Sequence, residues 1–168
     1  MKLRLNSIKE GSQTIEMTLT GSDLAIADEK FNKPIQAVLN IYKGPHQTTI
    51  KSRMKTAVTL ECDRCLKPYE HNLEAAFQAI LSLLDPDEVS DENIIPISSK
   101  TREVDLSPFA HDALLIELPM KSVCSDSCKG ICAGCGADLN KGKCTCKTDD
   151  IDDRWKPLNN LLINTAEE

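Results

Sequence analysis

The run Met54-Lys55-Thr56-Ala57-Val58-Thr59-Leu60-Glu61-Cys62-Asp63-Arg64-Cys65 decides how the rest of the chain is read. Met54, Thr56, Val58 and Leu60 fall on one face at period two, with Lys55, Thr59 and Glu61 opposite, which predicts a half-buried strand. The strand runs straight into a Cys-x2-Cys pair. Just downstream, residues 69–81 would tolerate a helix by composition. Their pattern argues for a strand: Tyr69, Leu73, Ala75, Phe77, Ala79 and Leu81 share one side, and Glu70, Asn72, Glu74 and Gln78 the other. Two strands therefore flank residues 62–68, and the cysteines sit in the hairpin connection between them.

Upstream, Leu3 and Leu5, then Ile15, Met17 and Leu19, read as short strands broken at Gly11 and Gly21. Residues 22–33 have no clear period and are expected to form a loop or short helix. Ile35, Ala37, Leu39 and Ile41 make a cleaner strand face, closed by a turn at Gly44-Pro45, with residues 46–50 as a partner strand. Downstream, residues 85–100 are acidic and carry two prolines, which predicts a loop. Asp85, Asp87, Glu88, Asp91 and Glu92 are read as its solvated surface and not as a divalent-ion site. Ser107-Pro108 resembles an N-cap followed by proline at the first helical position, opening a helix to Leu118 that Pro119 ends. Trp155, Leu158, Leu161 and Leu162 are spaced for one side of a short terminal helix. Phe77 and Trp155 are the large apolar groups expected in the core.

These elements predict a mainly β (α+β) fold of about six strands: an antiparallel sheet or partly open barrel with one or two packed helices. Residues 1–120 would form the β core domain, and residues 121–163 a cysteine-rich, zinc-stapled segment with the short helix, folded back on it. The chain has 168 residues, 40 % hydrophobic but only 4 % aromatic, so its core must be aliphatic. No run approaches the ~20 apolar residues of a membrane helix, and residues 1–5 lack the apolar region of a secretion signal. A cytoplasmic location is the resulting expectation. A net charge of −6 disfavours whole-molecule attraction to phosphates and points to a protein partner, or to RNA through a local patch.

Eight cysteines would make four disulfides in a secreted chain but two four-cysteine metal sites in a reducing compartment. Six of them, Cys124, Cys128, Cys132, Cys135, Cys144 and Cys146, lie in a stretch with almost no large apolar residue, so a metal must supply its order. Cys62 and Cys65 need two more ligands from elsewhere. The matching x2 knuckle, Cys132 and Cys135, is the expected mate, leaving Cys124, Cys128, Cys144 and Cys146 for a second ion. The rival arrangement draws the crossing pair from Cys124 and Cys128, or from Cys144 and Cys146. A redox pair would not account for six further cysteines, and it belongs where a strand meets a helix. Zinc is expected, two ions per chain, with iron–sulfur ligation as the competitor. Four thiolates leave zinc no position for water, which argues against zinc catalysis.

His46, His71 and His111 form no ligand-spaced cluster; His71, six residues past Cys65, is read as a strand-surface histidine. No serine–histidine–acid or phosphate-loop signature is present. Five lysines between Lys121 and Lys147 face only Asp126 and Asp138, but two zinc–thiolate centres, each of charge minus two, would offset them.

Three motifs carry a resemblance: Leu60-Glu61-Cys62-Asp63-Arg64-Cys65-Leu66; Leu118-Pro119 followed by Cys124-x3-Cys128-Lys129-Gly130-Ile131-Cys132-x2-Cys135-Gly136-x2-Leu139-Asn140; and Cys144-x-Cys146 with Asp152-Asp153-Arg154-Trp155-x2-Leu158. Together they resemble the YceD family of large ribosomal RNA subunit accumulation proteins, densely over residues 55–162. The resemblance implies a role in accumulating or processing large-subunit ribosomal RNA, and no catalytic residue. It marks Cys62 and Cys65 as the most widely shared pair and the six later cysteines as variable between branches. Asp153 stands where relatives often have proline. The expected function is a ribosome biogenesis factor that binds ribosomal RNA or a ribosomal or assembly protein of the large subunit, with no membrane and no small-molecule substrate. The alternatives are a metal-dependent RNA-processing enzyme, which needs clustered carboxylates or a histidine base, and a zinc-ribbon-like nucleic-acid-binding module, which needs a basic surface.

Overall fold

Residues 47–61 and 68–82 pair along their whole length, from Gln47 opposite Ser82 to Glu61 opposite Pro68. The computed structural model describes residues 1–83, 91, 93–146 and 154. Within them the chain forms β1 (Lys2–Arg4), β2 (Gly11–Leu19), β3 (Ile35–Lys43), β4 (Gln47–Glu61), β5 (Pro68–Ser82), β6 (Ile94–Pro96), β7 (Glu103–Asp105) and α1 (Ser107–Ile116). One sheet runs β2-β3-β4-β5-β6, antiparallel except for the parallel β5–β6 edge; β1 and β7 form a separate antiparallel pair. The expected mainly β class is the observed one, as an open sheet and not a barrel.

The alternation read in the sequence sorts the two faces of the larger sheet. Ile35, Leu39 and Ile41 of β3, Ile50, Met54 and Val58 of β4, and Ala79 and Leu81 of β5 are at most 1 % exposed. They face one layer of cover built from β1, β7, α1, the Leu106 that joins the last two, and a 3₁₀ turn at Gly21–Leu24; Leu3, Val104, Ala110, Leu114 and Leu24 are among its other buried side chains. The opposite face carries Asn40, Lys51, Arg53, Lys55, Glu74 and Gln78, all exposed.

Four expectations are corrected. The segments 46–50 and 54–60 are one strand: Ser52 on the core face, 1 % exposed, interrupts the apolar alternation in the sequence without interrupting the strand. Within the acidic stretch, Ile94–Pro96 forms β6 beside Ile80–Ser82, and three residues are too few for a period to register. Ser107 is the first helical residue and not the cap; the Asp105 carboxylate accepts its N–H at 2.8 Å, and α1 ends at Ile116. Phe77 is half-buried: it lies against the edge of α1 and stacks on Phe109, ring centroids 6.0 Å apart. Trp155 and the expected terminal helix lie outside the described residues, as do Asp85, Asp87, Glu88 and Glu92.

Leu114 is fully buried where α1 meets the sheet, so Leu114→Ala is expected to cost about 2–5 kcal/mol, with Phe77→Ala at or below about 3 kcal/mol because its ring keeps solvent on one side. Urea unfolding of both variants measures this; equal midpoints for Leu114→Ala and wild type would mean that α1 is not packed as described.

Candidate metal centres

A six-residue connection joins β4 to β5, and its geometry is set by sulfur. Leu66 N–H donates to Cys62 O at 2.8 Å, and Leu66 adopts φ +57. The second knuckle repeats the turn: Gly136 N–H donates to Cys132 O at 2.8 Å, with Gly136 at φ +71. Glycine suits that left-handed backbone; leucine strains it by roughly 1–2 kcal/mol. Both turns free the N–H groups between the cysteines to point at sulfur.

The eight sulfurs gather into two groups of four. Cys62, Cys65, Cys124 and Cys128 form one, Cys132, Cys135, Cys144 and Cys146 the other, each with all sulfurs within 4.8 Å of one another. The expected pairing of Cys62 and Cys65 with Cys132 and Cys135 is thus corrected in favour of the rival partition. The reason is local. Residue 122 is already docked on the hairpin, Asp63 N–H donating to Ser122 O and Ser122 N–H to Asp63 Oδ2, both at 2.7 Å. Cys124 follows two residues later, and its N–H reaches Cys62 Sγ at 3.4 Å. Cys132 and Cys135 are drawn instead to Cys144 and Cys146 by a short loop in which Lys141 N–H bonds to Asp138 O at 3.1 Å.

In the first group, Sγ of Cys62 lies 3.9 Å from that of Cys128, and Sγ of Cys65 lies 3.7 Å from that of Cys124. Four sulfurs around a tetrahedral zinc, each at ~2.3 Å, are ~3.8 Å apart, so the donor set and spacing fit that ion. Cys62, Cys65 and Cys128 are buried; in the second group Cys135 and Cys146 are exposed and the other two half-exposed. His71 pairs with Val58 in the β4–β5 register and belongs to neither group.

Several residues without an assigned role in the sequence reading hold the halves together. Arg64 donates to Cys128 O at 2.9 Å and to Asp126 O at 3.2 Å. Ile131 N–H donates to Arg64 O at 3.0 Å. A Cβ on Gly130, at φ +76, would stand 2.8 Å from that same Arg64 oxygen. Within the C-terminal loop itself, Asn140 sends its amide Nδ2 to Cys128 Sγ at 3.5 Å while its Oδ1 accepts Lys129 N–H at 2.8 Å. Lys67 pairs with Asp138 and holds that carboxyl down to about 2. Gly130 and Asn140 stand inside the quoted motif; their partners could not be read from spacing. Lys121, Lys129, Lys141 and Lys143 are exposed, and Lys147 lies outside the described residues.

Without metal, each group divides its protons unevenly. Burial raises the Cys62 thiol, but N–H groups of Cys124, Cys65 and Arg64 outweigh it and bring it down to about 6. The hydrogen bond to Cys128, with burial, pushes Cys124 up to about 12. In the second group the N–H groups of Cys135 and Gly134 lower Cys132 to about 6, and the hydrogen bond to Cys135 raises Cys146 to about 12. A cation is what allows all four sulfurs of a group to be thiolates together.

Two outcomes follow. Cys62→Ser with Cys65→Ser should lose one of two metal equivalents and expose residues 124–131 to protease, whereas Cys132→Ser with Cys135→Ser should lose the other and leave the β4–β5 hairpin protected. Metal analysis with limited proteolysis reads both, and loss of both metals from the second variant would contradict separate sites. Zinc uptake at pH 7 should release the protons of the raised thiols, Cys65, Cys124 and Cys146. Affinity should fall further below about pH 6, where Cys62 and Cys132 also protonate and compete with the ion. Chelator competition across pH measures it; a flat profile would show that these thiols are not ligands.

The profile of the family described as "Large ribosomal RNA subunit accumulation protein YceD" matches residues 50–162. Among similar proteins, the large ribosomal RNA subunit accumulation protein YCED homolog 1, chloroplastic, of Arabidopsis thaliana is 24 % identical over 166 residues, covering 81 % of this chain and 51 % of its own length. The protein of the same name from Zea mays is 23 % identical over 172 residues, covering 85 % and 59 %. An uncharacterized protein of Mycobacterium tuberculosis is 31 % identical over 105 residues, covering 61 % and 49 %. The chain thus spans about half to three fifths of the length of these relatives. No solved structure matches. With both sulfur groups, the β4–β5 connection and α1 all inside the matched span, the chain belongs to the YceD family of large ribosomal RNA subunit accumulation proteins.

Proposed function

We propose that this protein is a ribosome biogenesis factor that acts by binding during accumulation or processing of large-subunit ribosomal RNA. The observation that supports the reading is the gathering of all eight cysteines into two groups of four, each of which could hold one ion. A zinc ion held by four thiolates orders a chain segment and offers no position for a reacting water. Zinc, two ions, is held in this reading by Cys62, Cys65, Cys124 and Cys128, and by Cys132, Cys135, Cys144 and Cys146. Iron bound by the same thiolates would show as visible absorption. Residues 1–120 then serve as the β core and residues 121–163 as the metal-ordered segment, whose first sulfur group is completed by the β4–β5 hairpin. The partner is ribosomal RNA or a large-subunit ribosomal or assembly protein.

None of the helices among the described residues is long and apolar enough to cross a membrane. Eight unpaired thiols suit a reducing compartment; we assign the cytoplasm, while two relatives are named chloroplastic. Fractionation of the tagged protein checks the assignment.

Depleting the protein should lower mature large-subunit RNA relative to small-subunit RNA, while the purified, metal-loaded protein leaves that RNA intact. Northern analysis and an in vitro cleavage assay read the two halves of this expectation. Metal-dependent cleavage by the pure protein, abolished by one Asp or Glu substitution, would replace the binding role with an enzymatic one.

A further inference from the structure

Among the described residues the large sheet is covered on one face only, and the open face is not uniform. Along the middle of β4 its outward positions are Thr49, Lys51, Arg53 and Lys55, with Gln47 before them and Ala57, Thr59 and Glu61 after. Register places Asn40 and Gln78 on either side of Lys51, Val38 and Ala76 on either side of Arg53, and Gln36 and Glu74 on either side of Lys55. Lys55 is neutralised by Glu74 at 2.7 Å. Lys51 and Arg53 are exposed and have no carboxylate within ion-pair distance among the described residues. The remaining acid on this part of the face, Glu16, stands on β2 with the Val38 position between it and Arg53.

Around these two cations the surface dips into a shallow depression of about 440 Å³, floored by Ala76 and bordered by Asn40 and Gln78. The Asn40 amide is already held: Thr14 Oγ1 donates to its Oδ1 at 3.0 Å, which leaves the NH₂ group as a donor with no partner among the described residues. One row beyond Asn40 on β3, Tyr42 shows 58 % of its surface to solvent. In a chain of net charge −6, this is a local reversal of sign.

We propose that the open face of β3-β4-β5 is a binding surface for unpaired RNA. Lys51 and Arg53 take successive backbone phosphates, the Asn40 and Gln78 amides meet base edges, and the Tyr42 ring stacks on a base. Same-face residues on one strand are ~6.7 Å apart, a reach suited to neighbouring phosphates of an extended strand. The arginine fork binds phosphate through two parallel N–H bonds. Open sheets with an exposed aromatic ring read single-stranded RNA by stacking and edge contacts, whereas duplex RNA buries those edges. An acidic peptide would use the cations but would have no need of the Asn40 amide or the exposed ring. The inference rests on the proposed role with ribosomal RNA and narrows it to one surface, remote from the cysteine groups.

The test compares the full, metal-loaded chain with Lys51→Gln/Arg53→Gln and with Tyr42→Ala, using a random-sequence pool of twelve-nucleotide single-stranded RNA and a duplex of equal length. All substituted positions are exposed, so metal content and melting temperature should match wild type. Expected results are binding of the single-stranded pool, at least tenfold weaker in the double variant. The log–log salt slope should fall by about 1.4, at ~0.7 per lost phosphate contact. Tyr42→Ala should weaken binding without changing the slope. Wild-type affinity and slope in the double variant, preference for the duplex, or no RNA binding by the native chain would each overturn the proposal. So would loss in the double variant of a ribosomal-protein contact alone. In depleted cells, failure of the double variant to restore mature large-subunit RNA is expected. Full restoration by it would sink the surface assignment and leave the biogenesis role standing, whereas an unchanged RNA level on depletion itself would sink that role.

Discussion

Fifteen residue pairs join β4 to β5, and the rest of the molecule is arranged on that ribbon. Its length does two things at once. The middle supplies a flat core face onto which α1 and the small β1–β7 pair are packed. The far end projects a turn whose shape is set by Cys62 and Cys65. A shorter ribbon would leave the turn inside the apolar layer, where four sulfurs and their N–H donors would crowd against leucine. At the end of two long strands the sulfurs stay at the margin of the core, buried by the C-terminal loop together with Tyr69 of β5. Cys62, Cys65 and Cys128 accordingly form a small cluster of their own, separate from the aliphatic core.

The two sulfur groups are alike in chemistry and different in place. The first joins strands to loop and is shielded by Val123 and Tyr69. The second is built within one short loop, with a glycine at the turn and two sulfurs open to solvent. Polar contacts outside sulfur, from Arg64, Lys67 and Asp63, serve the seam between hairpin and loop. Substitutions along that seam should therefore resemble loss of the first group, not the second.

Much of this was legible in the residues. The alternation of residues 54–60 and 69–81 identified a hairpin, because a half-buried antiparallel pair writes its inner face at every second position. Cysteine count and compartment argued two four-sulfur sites. What escaped had physical causes. Spacing alone favoured joining the two x2 knuckles, but backbone hydrogen bonds at Ser122 bring Cys124 to the hairpin first. Ser52 disguised one long strand as two, since a polar residue on an inner face breaks the pattern and not the ladder. β6 is three residues long and owes its strand state to its neighbour. The open face of the sheet was read only as the polar side of each strand; its cationic row appears once register sets Lys51 and Arg53 between Asn40, Gln78, Val38 and Ala76.

The separations along the chain also order events in time. Cys65 and Cys124 are 59 positions apart, whereas Cys135 and Cys144 are separated by nine. Closing the longer loop costs about 2 kcal/mol more in chain entropy if nothing else has formed. That difference vanishes once the intervening strands and α1 are in place, because they deliver residue 122 to the hairpin. On a growing chain the hairpin needs only contiguous residues, whereas the first sulfur group cannot close before residues 124 and 128 have been made. The second group draws no ligand from the hairpin. A nascent chain would therefore carry Cys62 and Cys65 as an open thiol pair for as long as it takes to synthesise and fold the sixty residues that follow, the interval in which it is most exposed to the wrong metal or to oxidation.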